Sequence, residues 1–261
     1  MASDLLTNSE LKRSWFTVSS LVSRDFKLKY RRSVLGVLWS VLNPLLMMCV
    51  LTAVFSQFFK FNIENFPLYL ILAQTVFNLM ADSTSASVQS IIDSASLIKK
   101  IRIKKIIFPA EKCLFQCINF GFSLIAVAFV MAYFQIFPTW RIILIIPLTF
   151  FVLMFSMGLS LLLSSLAVFF RDIIHLWSVL LTAWTYATPL FYPLDILPDW
   201  MIVAENFNPM YYYVTYFRDI MLYAQTPSLM MNLQCLGFAV VTFIVGLLVF
   251  KKLEKKFILY V

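Results

Sequence analysis

Few residues in this chain are equipped for bond-making chemistry. It has one histidine, His175, and four cysteines: Cys49, Cys113, Cys117 and Cys235. Cys113 and Cys117 are four apart, so a helix would set both on one face, but no histidine or carboxylate cluster joins them as a metal site requires. They read as buried, reduced and structural. His175 follows Asp172 by three residues and reads as a partly solvated histidine near a membrane boundary. Among the carboxylates, Asp82 interrupts an otherwise apolar stretch that Asp93 follows, the two flanking its second half, and Glu111-Lys112 opens another. Ionisable groups in such surroundings are costly and are functional candidates. One pair falls short of a proton relay, and a helix–helix contact or an interfacial position fits equally well. The five glycines are too scattered for a phosphate-cradling loop, and neither a G-x-S-x-G elbow nor an H-E-x-x-H helix occurs. The sequence offers no catalytic residue, no cofactor-binding residue and no metal ligand set, so any nucleotide chemistry must come from another polypeptide.

Two segments are built for contact. From Leu11, the residues Trp15, Val18, Val22 and Phe26 follow at spacings of 4, 3, 4 and 4, which puts them on one helical face with basic residues around the rest. Thr7 and Glu10 stand at capping-box spacing before it. This predicts an amphipathic interfacial helix over 11–32, either a passive anchor or a mobile element beside a pore or partner. The second segment runs from Ser96 to Ile106 and interleaves Ile98, Ile101 and Ile103 with Lys99, Lys100 and Arg102. It reads either as topological punctuation or as a docking element, with apolar anchors for affinity and charges for steering. Aromatics form a third feature. Trp177, Trp184, Tyr186, Phe191 and Tyr192 lie close together, and Tyr211, Tyr212, Tyr213, Tyr216 and Phe217 crowd a later segment. They fit an interfacial belt, or a conduit in which rings pack on sugar C–H faces while phenol and indole groups meet hydroxyls.

The elements that must position these segments follow from composition. Of 261 residues, 61% are hydrophobic and 13% charged, and the mean hydropathy is +0.86. Soluble domains run nearer about 45–50% apolar and about 25% charged, so an all-α integral membrane protein is expected. Stretches near 20 apolar residues, the length that spans a bilayer, predict six spans at 33–59, 65–92, 110–135, 142–170, 173–193 and 230–250. The segment 194–223 carries Pro198, Asp199, Glu205 and Pro209 and reads as a re-entrant or external element. Of the 21 basic residues, eighteen fall on one side of this topology. By the positive-inside rule both termini are then cytoplasmic, and the net charge of +8 marks a membrane topology and not a nucleic-acid partner. The first 30 residues lack an apolar core typical of a cleavable signal.

The stretch 27–46, with Tyr30, Arg31, Ser33, Leu35, Gly36, Trp39, Asn43 and Pro44, resembles the start of the first span in permeases of ABC polysaccharide exporters. Further matches follow in order: Phe170-Arg171-Asp172-Ile173, Thr188-Pro189-Leu190-Phe191-Tyr192-Pro193, then Asn208-Pro209 before Arg218-Asp219. The resemblance covers nearly the whole chain and is to the type-2 ABC exporter permeases that move O-antigen, capsule or teichoic acid. It implies a single permease domain in the bacterial cytoplasmic membrane, a homodimer bound to two ATPase subunits that hold ATP and Mg. The implied substrate is a lipid-linked glycan or polyol-phosphate chain. It also implies a coupling helix over 97–108, with Ile98, Lys99, Lys100, Ile101, Arg102 and Ile103 meeting the ATPase. Phe26, Lys29, Tyr30, Arg31 and Arg32 would gate the interface and meet lipid phosphate, and 194–223 would cap the exit. The aromatic channel would comprise Trp39, Trp177, Trp184, Tyr186, Phe191, Tyr192, Tyr212 and Tyr216. An ion-coupled secondary transporter or a membrane-embedded transferase would need clustered ionisable residues that the sequence does not show.

Overall fold

The computed structural model describes residues 2–31, 33–58, 63–100 and 103–260, with side chains placed from 15 onward and not at 56–58. All regular structure among the described residues is helical. The long helices are α1 (Ala2–Tyr30), α2 (Trp39–Phe58), α3 (Phe66–Val88), α6 (Ile107–Tyr133), α7 (Ile145–Phe169), α8 (Ile173–Ala187) and α11 (Leu229–Leu253). Short helices α4 (Ser90–Asp93) and α5 (Ala95–Lys100) join α3 to α6. A second pair, α9 (Asp199–Glu205) and α10 (Pro209–Met221), fills the connection from α8 to α11, and α12 (Phe257–Tyr260) is the last described helix.

Among the described residues, four stretches are long and apolar enough to cross a membrane: Gly36–Phe55, Ile107–Tyr133, Trp140–Phe169 and Leu229–Tyr260. α3 has the length, but its second half is rich in Asn, Asp, Ser and Thr. The expected fifth span, 173–193, is shorter as a helix than the sequence predicts. α8 stops at Ala187, because Thr188 precedes a proline and turns to an extended conformation with ψ 137°. Its 15 residues reach about 22 Å, short of a hydrocarbon core of about 30 Å. The expected segment 97–108 is also divided. Its first part belongs to α5, and its last two residues open α6, where Pro109 sits in the first turn and its missing N–H would have had no helical partner anyway.

Two apolar cores stack along the bundle. The larger surrounds α3, which packs against α2, α6, α7, α8 and α10. The smaller lies at the end where the basic residues collect, and unites Val18 and Leu21 of α1 with Ile91, Ile98, Ile107, Phe108, Leu161, Val168, Phe250 and Phe257. α1 does not stay at that end. Its Asp25 meets Lys112, while Lys29 and Tyr30 reach Asn119, twelve residues and about 18 Å into α6. The last turns of α1 therefore climb along α6, and do not lie across the ends of the helices.

α7 and α11 make the tightest pair. A Cβ placed on Gly246 would collide with the Gly158 carbonyl, and one on Gly158 would stand 2.5 Å from the Thr242 carbonyl carbon. Backbones this close need glycine on both sides, as in helix pairs that associate without help from water. Gly121 and Gly237 face open space. In thermal unfolding of the purified protein, Gly246→Ala is expected to lose about 1–3 kcal/mol by overpacking. Gly121→Ala should be neutral or slightly stabilising, since alanine is the better helix former; equal effects at both positions would contradict the packing described.

Candidate functional site

α3 is buried on most of its circumference, yet Asn78, Asp82, Ser85 and Gln89 are exposed. Their spacings of 4, 3 and 4 align them as one stripe along the helix. Across from Asn78 and Asp82, α2 contributes Trp39, Ser40, Asn43 and Pro44, α6 contributes Gln116, Asn119 and Ser123, and α1 contributes Lys29. Together they line an open cavity of about 250 Å³. Pro44 has no N–H for the Ser40 carbonyl four residues back, which adds a backbone acceptor at this wall.

The cavity wall is held by a small network. Asn119 Oδ1 accepts from Lys29 Nζ at 3.2 Å and from Tyr30 Oη at 3.2 Å, and Asn119 Nδ2 donates to Gln116 Oε1 at 2.7 Å. Tyr30 Oη also bonds Ser40 Oγ. The Lys29 ammonium sits 5.3 Å above the Tyr30 ring and 5.5 Å from that of Phe115, so two aromatic faces share its charge. Phe26 packs edge-on against Tyr30 and beside Phe122. A step earlier on α1, burial acts to raise the Asp25 carboxyl, but its bonds to Lys112 and Arg24 outweigh that and hold it below the usual range. This ion pair pins α1 beside the cavity.

Amides and hydroxyls dominate the lining, with one ammonium and one carboxylate. Each amide offers two donors and an acceptor, and each hydroxyl both. Such a surface can exchange hydrogen bonds with a hydroxyl-rich chain without gripping it. No group here is placed as a nucleophile.

Several sequence-predicted site residues lie elsewhere. Lys29, Tyr30 and Trp39 are at the cavity, and Arg31 is exposed just past α1. Arg32, Ile101 and Arg102 lie outside the described residues. Ile98 is buried in the smaller core and Ile103 packs on it, while Lys99 and Lys100 are exposed. Ile98 thus anchors α5 to its own chain, and the lysines are what α5 presents outward. Four residues of the expected aromatic channel belong to this chain's own packing. Trp177, Phe191, Tyr212 and Tyr216 are buried within this chain, because their polar atoms or faces find partners there. Trp177 Nε1 donates to Thr84 at 3.1 Å, Tyr216 Oη to Asn232 at 2.9 Å and Tyr212 Oη to the Asn206 carbonyl at 3.2 Å, while Phe191 stacks on Phe55 at 5.4 Å. Tyr186 and Trp39 remain exposed, and Trp184 and Tyr192 are half-buried.

Residues that sequence reasoning passed over are Asn78 and Ser85 of α3, Gln89 at its C-terminal cap, and Gln116, Asn119 and Ser123 of α6. The signal was present as polar residues at helical spacing inside apolar stretches.

The motif positions near the second half of the chain build the opposite end of the bundle. Asn208 caps α10 by accepting from Met210 N at 3.1 Å, and also accepts from Trp184 Nε1 at 2.8 Å. Its amide donates to Thr188 and to Glu205, whose carboxyl burial pushes up against that bond. Arg218 is buried without a carboxylate. It donates to the carbonyls of Pro189, Leu190 and Tyr69 at 3.0–3.4 Å and lies 3.3 Å over the Tyr69 ring. Burial lowers its guanidinium only to about 10, so it stays charged at neutral pH.

The family model described as ABC-2 type transporter matches residues 17–222. An O-antigen export system permease protein RfbA of Myxococcus xanthus is 35% identical over 181 residues, 69% of each chain. A protein of the same name from Klebsiella pneumoniae is 27% identical over 238 residues, covering 91% of this chain and 92% of its own.

Two outcomes follow for the α10 end. Arg218→Met strands three carbonyls, and unfolding measurements should show a loss of about 3 kcal/mol or more. Asp219, beside it, is held up at about 6 by burial, against about 4 in an unfolded chain. Its folded form holds the proton more tightly, so its contribution is complete below about pH 4 and is lost as pH rises through about 6. Asp219→Asn should therefore raise the Tm at pH 8 and leave it nearly unchanged at pH 4.5; a difference independent of pH would refute this.

Proposed function

This chain belongs to the ABC-2 type transporter family, and from that premise we propose that it is the membrane-spanning permease subunit of an ATP-driven polysaccharide exporter. Its substrate on this reading is a lipid-linked cell-surface glycan, and two copies of the chain bound to two ATPase subunits form the transporter in the bacterial cytoplasmic membrane. ATP and Mg belong to the partner subunits, which supply the energy; this chain supplies the path.

The observation that carries the proposal is the polar stripe of α3 opening on the cavity of amides and hydroxyls. Side chains of this kind in a helix of membrane length face water or protein, not lipid. The family relationship supports a glycan as what passes: permeases named for O-antigen export match almost the whole chain at 27% identity and most of it at 35%. On this reading the cavity is one half of a translocation path that a second copy completes. The chain crosses the bilayer six times with both termini cytoplasmic, α3 and α8 being the polar and the short members, and Leu194–Ile196, α9 and α10 lie outside.

The same topology puts α5 in the cytoplasm, where Lys99 and Lys100 face outward and Ile98 fixes the helix to α1 and α12. α5 is the element for coupling to the ATPase. Force on α5 passes through the smaller core to α1, and through Asp25–Lys112 and Lys29–Asn119 to the cavity wall.

Co-purification with the ATPase tests this. Replacing Lys99 and Lys100 together by glutamate is expected to reduce the ATPase recovered with the permease at least about ten-fold, since like charges across an interface are strongly unfavourable. Surface glycan should be lost in step, with the permease still folded and inserted. A permease that exports glycan normally without an ATPase would overturn the proposal.

A further inference from the structure

The charges in the cavity are not equivalent. Lys29 is committed to the wall: its ammonium donates to Asn119 Oδ1 at 3.2 Å and lies over the Tyr30 and Phe115 rings. Asp82 lies in the same cavity and is exposed, and among the described residues no hydrogen bond or ion pair reaches it. Arg24 and Lys27 of α1, with Arg31 just past it, line a separate surface groove with Phe16 and Leu28. What a passing chain meets inside is therefore a set of neutral amides and hydroxyls, one ammonium already engaged by the wall, and one carboxylate with no hydrogen-bond partner among the described residues.

We infer that Asp82 is a specificity-determining residue that admits uncharged glycan chains and disfavours polyanionic ones such as polyol phosphates. The inference rests on the proposed translocation path and names its substrate class. A neutral sugar exchanges hydrogen bonds with Asn43, Asn78 and Gln116 and donates a hydroxyl to Asp82, a charge-assisted bond. A phosphodiester brings its own negative charge past Asp82 in a cavity partly walled by protein, where like charges are screened less than in open water. The cavity thus discriminates by repulsion as well as by attraction. The basic groove on α1 lies apart, so a phosphate linking glycan to lipid can be met there without entering the cavity.

The test uses the permease–ATPase complex in nanodiscs of zwitterionic lipid and two soluble probes, a neutral linear hexasaccharide and a glycerol-phosphate hexamer. By equilibrium binding, the wild type should favour the neutral probe by about ten-fold or more, a ratio that shrinks in about 1 M salt, where the Debye length falls to about 3 Å. Asp82→Asn, nearly isosteric, should bring the two probes within about three-fold by strengthening the phosphate probe, and Asp82→Lys should reverse the order. An unaltered Tm for Asp82→Asn is the folding control. If the wild type binds both probes equally, or Asp82→Asn leaves the ratio unchanged, the inference fails while the path reading stands. Asn78→Trp separates the two: it should block both probes, and undiminished binding of the neutral one would sink the path reading itself.

Discussion

α3 stands at the centre of the bundle with a single uncovered face, and that face carries an amide, a carboxylate, a hydroxyl and a second amide in register. Unpaired groups of this kind are too costly to leave against hydrocarbon, and among the described residues no side-chain hydrogen bond or ion pair takes them up. The helix is therefore stable in a membrane only if water, substrate or another protein surface covers the stripe. Much of the remaining structure can be understood as holding that arrangement in place. α6 and α7 wrap the rest of α3 and bury its apolar positions, α2 bends a proline and an asparagine toward the stripe, and α1 climbs far enough to bring Lys29 to its edge.

Rigidity is concentrated away from the cavity. α7 and α11 meet at Gly158 and Gly246 with backbones in contact, leaving no room for one to slide past the other. At one end of the bundle, Arg218 and Asn208 tie α10 to the end of α8 and to α3 through carbonyl acceptors and a helix cap. These bonds are local in space but link residues 20 to 149 apart in sequence, and so fix the connection between α8 and α11 as one unit. The cavity side is held differently. α1 is attached by one ion pair, a few hydrogen bonds and ring contacts, several of them partly exposed. Such attachments open more easily than a buried core. A transporter needs this contrast, a rigid frame bordered by an element that can be displaced.

The helical, membrane-embedded character of the chain was legible because it depends on composition and on runs of apolar residues, which are local properties. The ends of α8 and the split of 97–108 were less so. Pro189 and Pro193 were visible as helix breakers, but hydropathy alone runs on past Ala187. The cavity was half legible. Asp82 and Asn43 stood out as polar residues in apolar surroundings, whereas Asn78, Gln116 and Asn119 acquire meaning only when α3 and α6 are seen to turn them toward one space. Aromatic residues show the reverse case. Trp177 and Tyr216 have the chemistry to line a sugar path, but their N–H and O–H groups bond Thr84 and Asn232, residues 93 and 16 positions away. No spacing rule along the chain reports such a partner. The matched motifs around Asn208 and Arg218 turn out to serve the architecture of the α10 end, so a family likeness there speaks to fold more than to cargo.

The central claim is that the α3 stripe faces an aqueous path within the membrane. It is tested most directly by thiol accessibility along α3, in a variant whose four native cysteines are replaced, using a membrane-impermeant maleimide on sealed inside-out vesicles. Single cysteines at Asn78, Ser85 and Gln89 should react readily, while Phe77, Met80 and Val88 should not, giving a labelling pattern with the period of the helix. Protection of all six positions, or labelling that simply fades with depth on every side of the helix, would contradict the account.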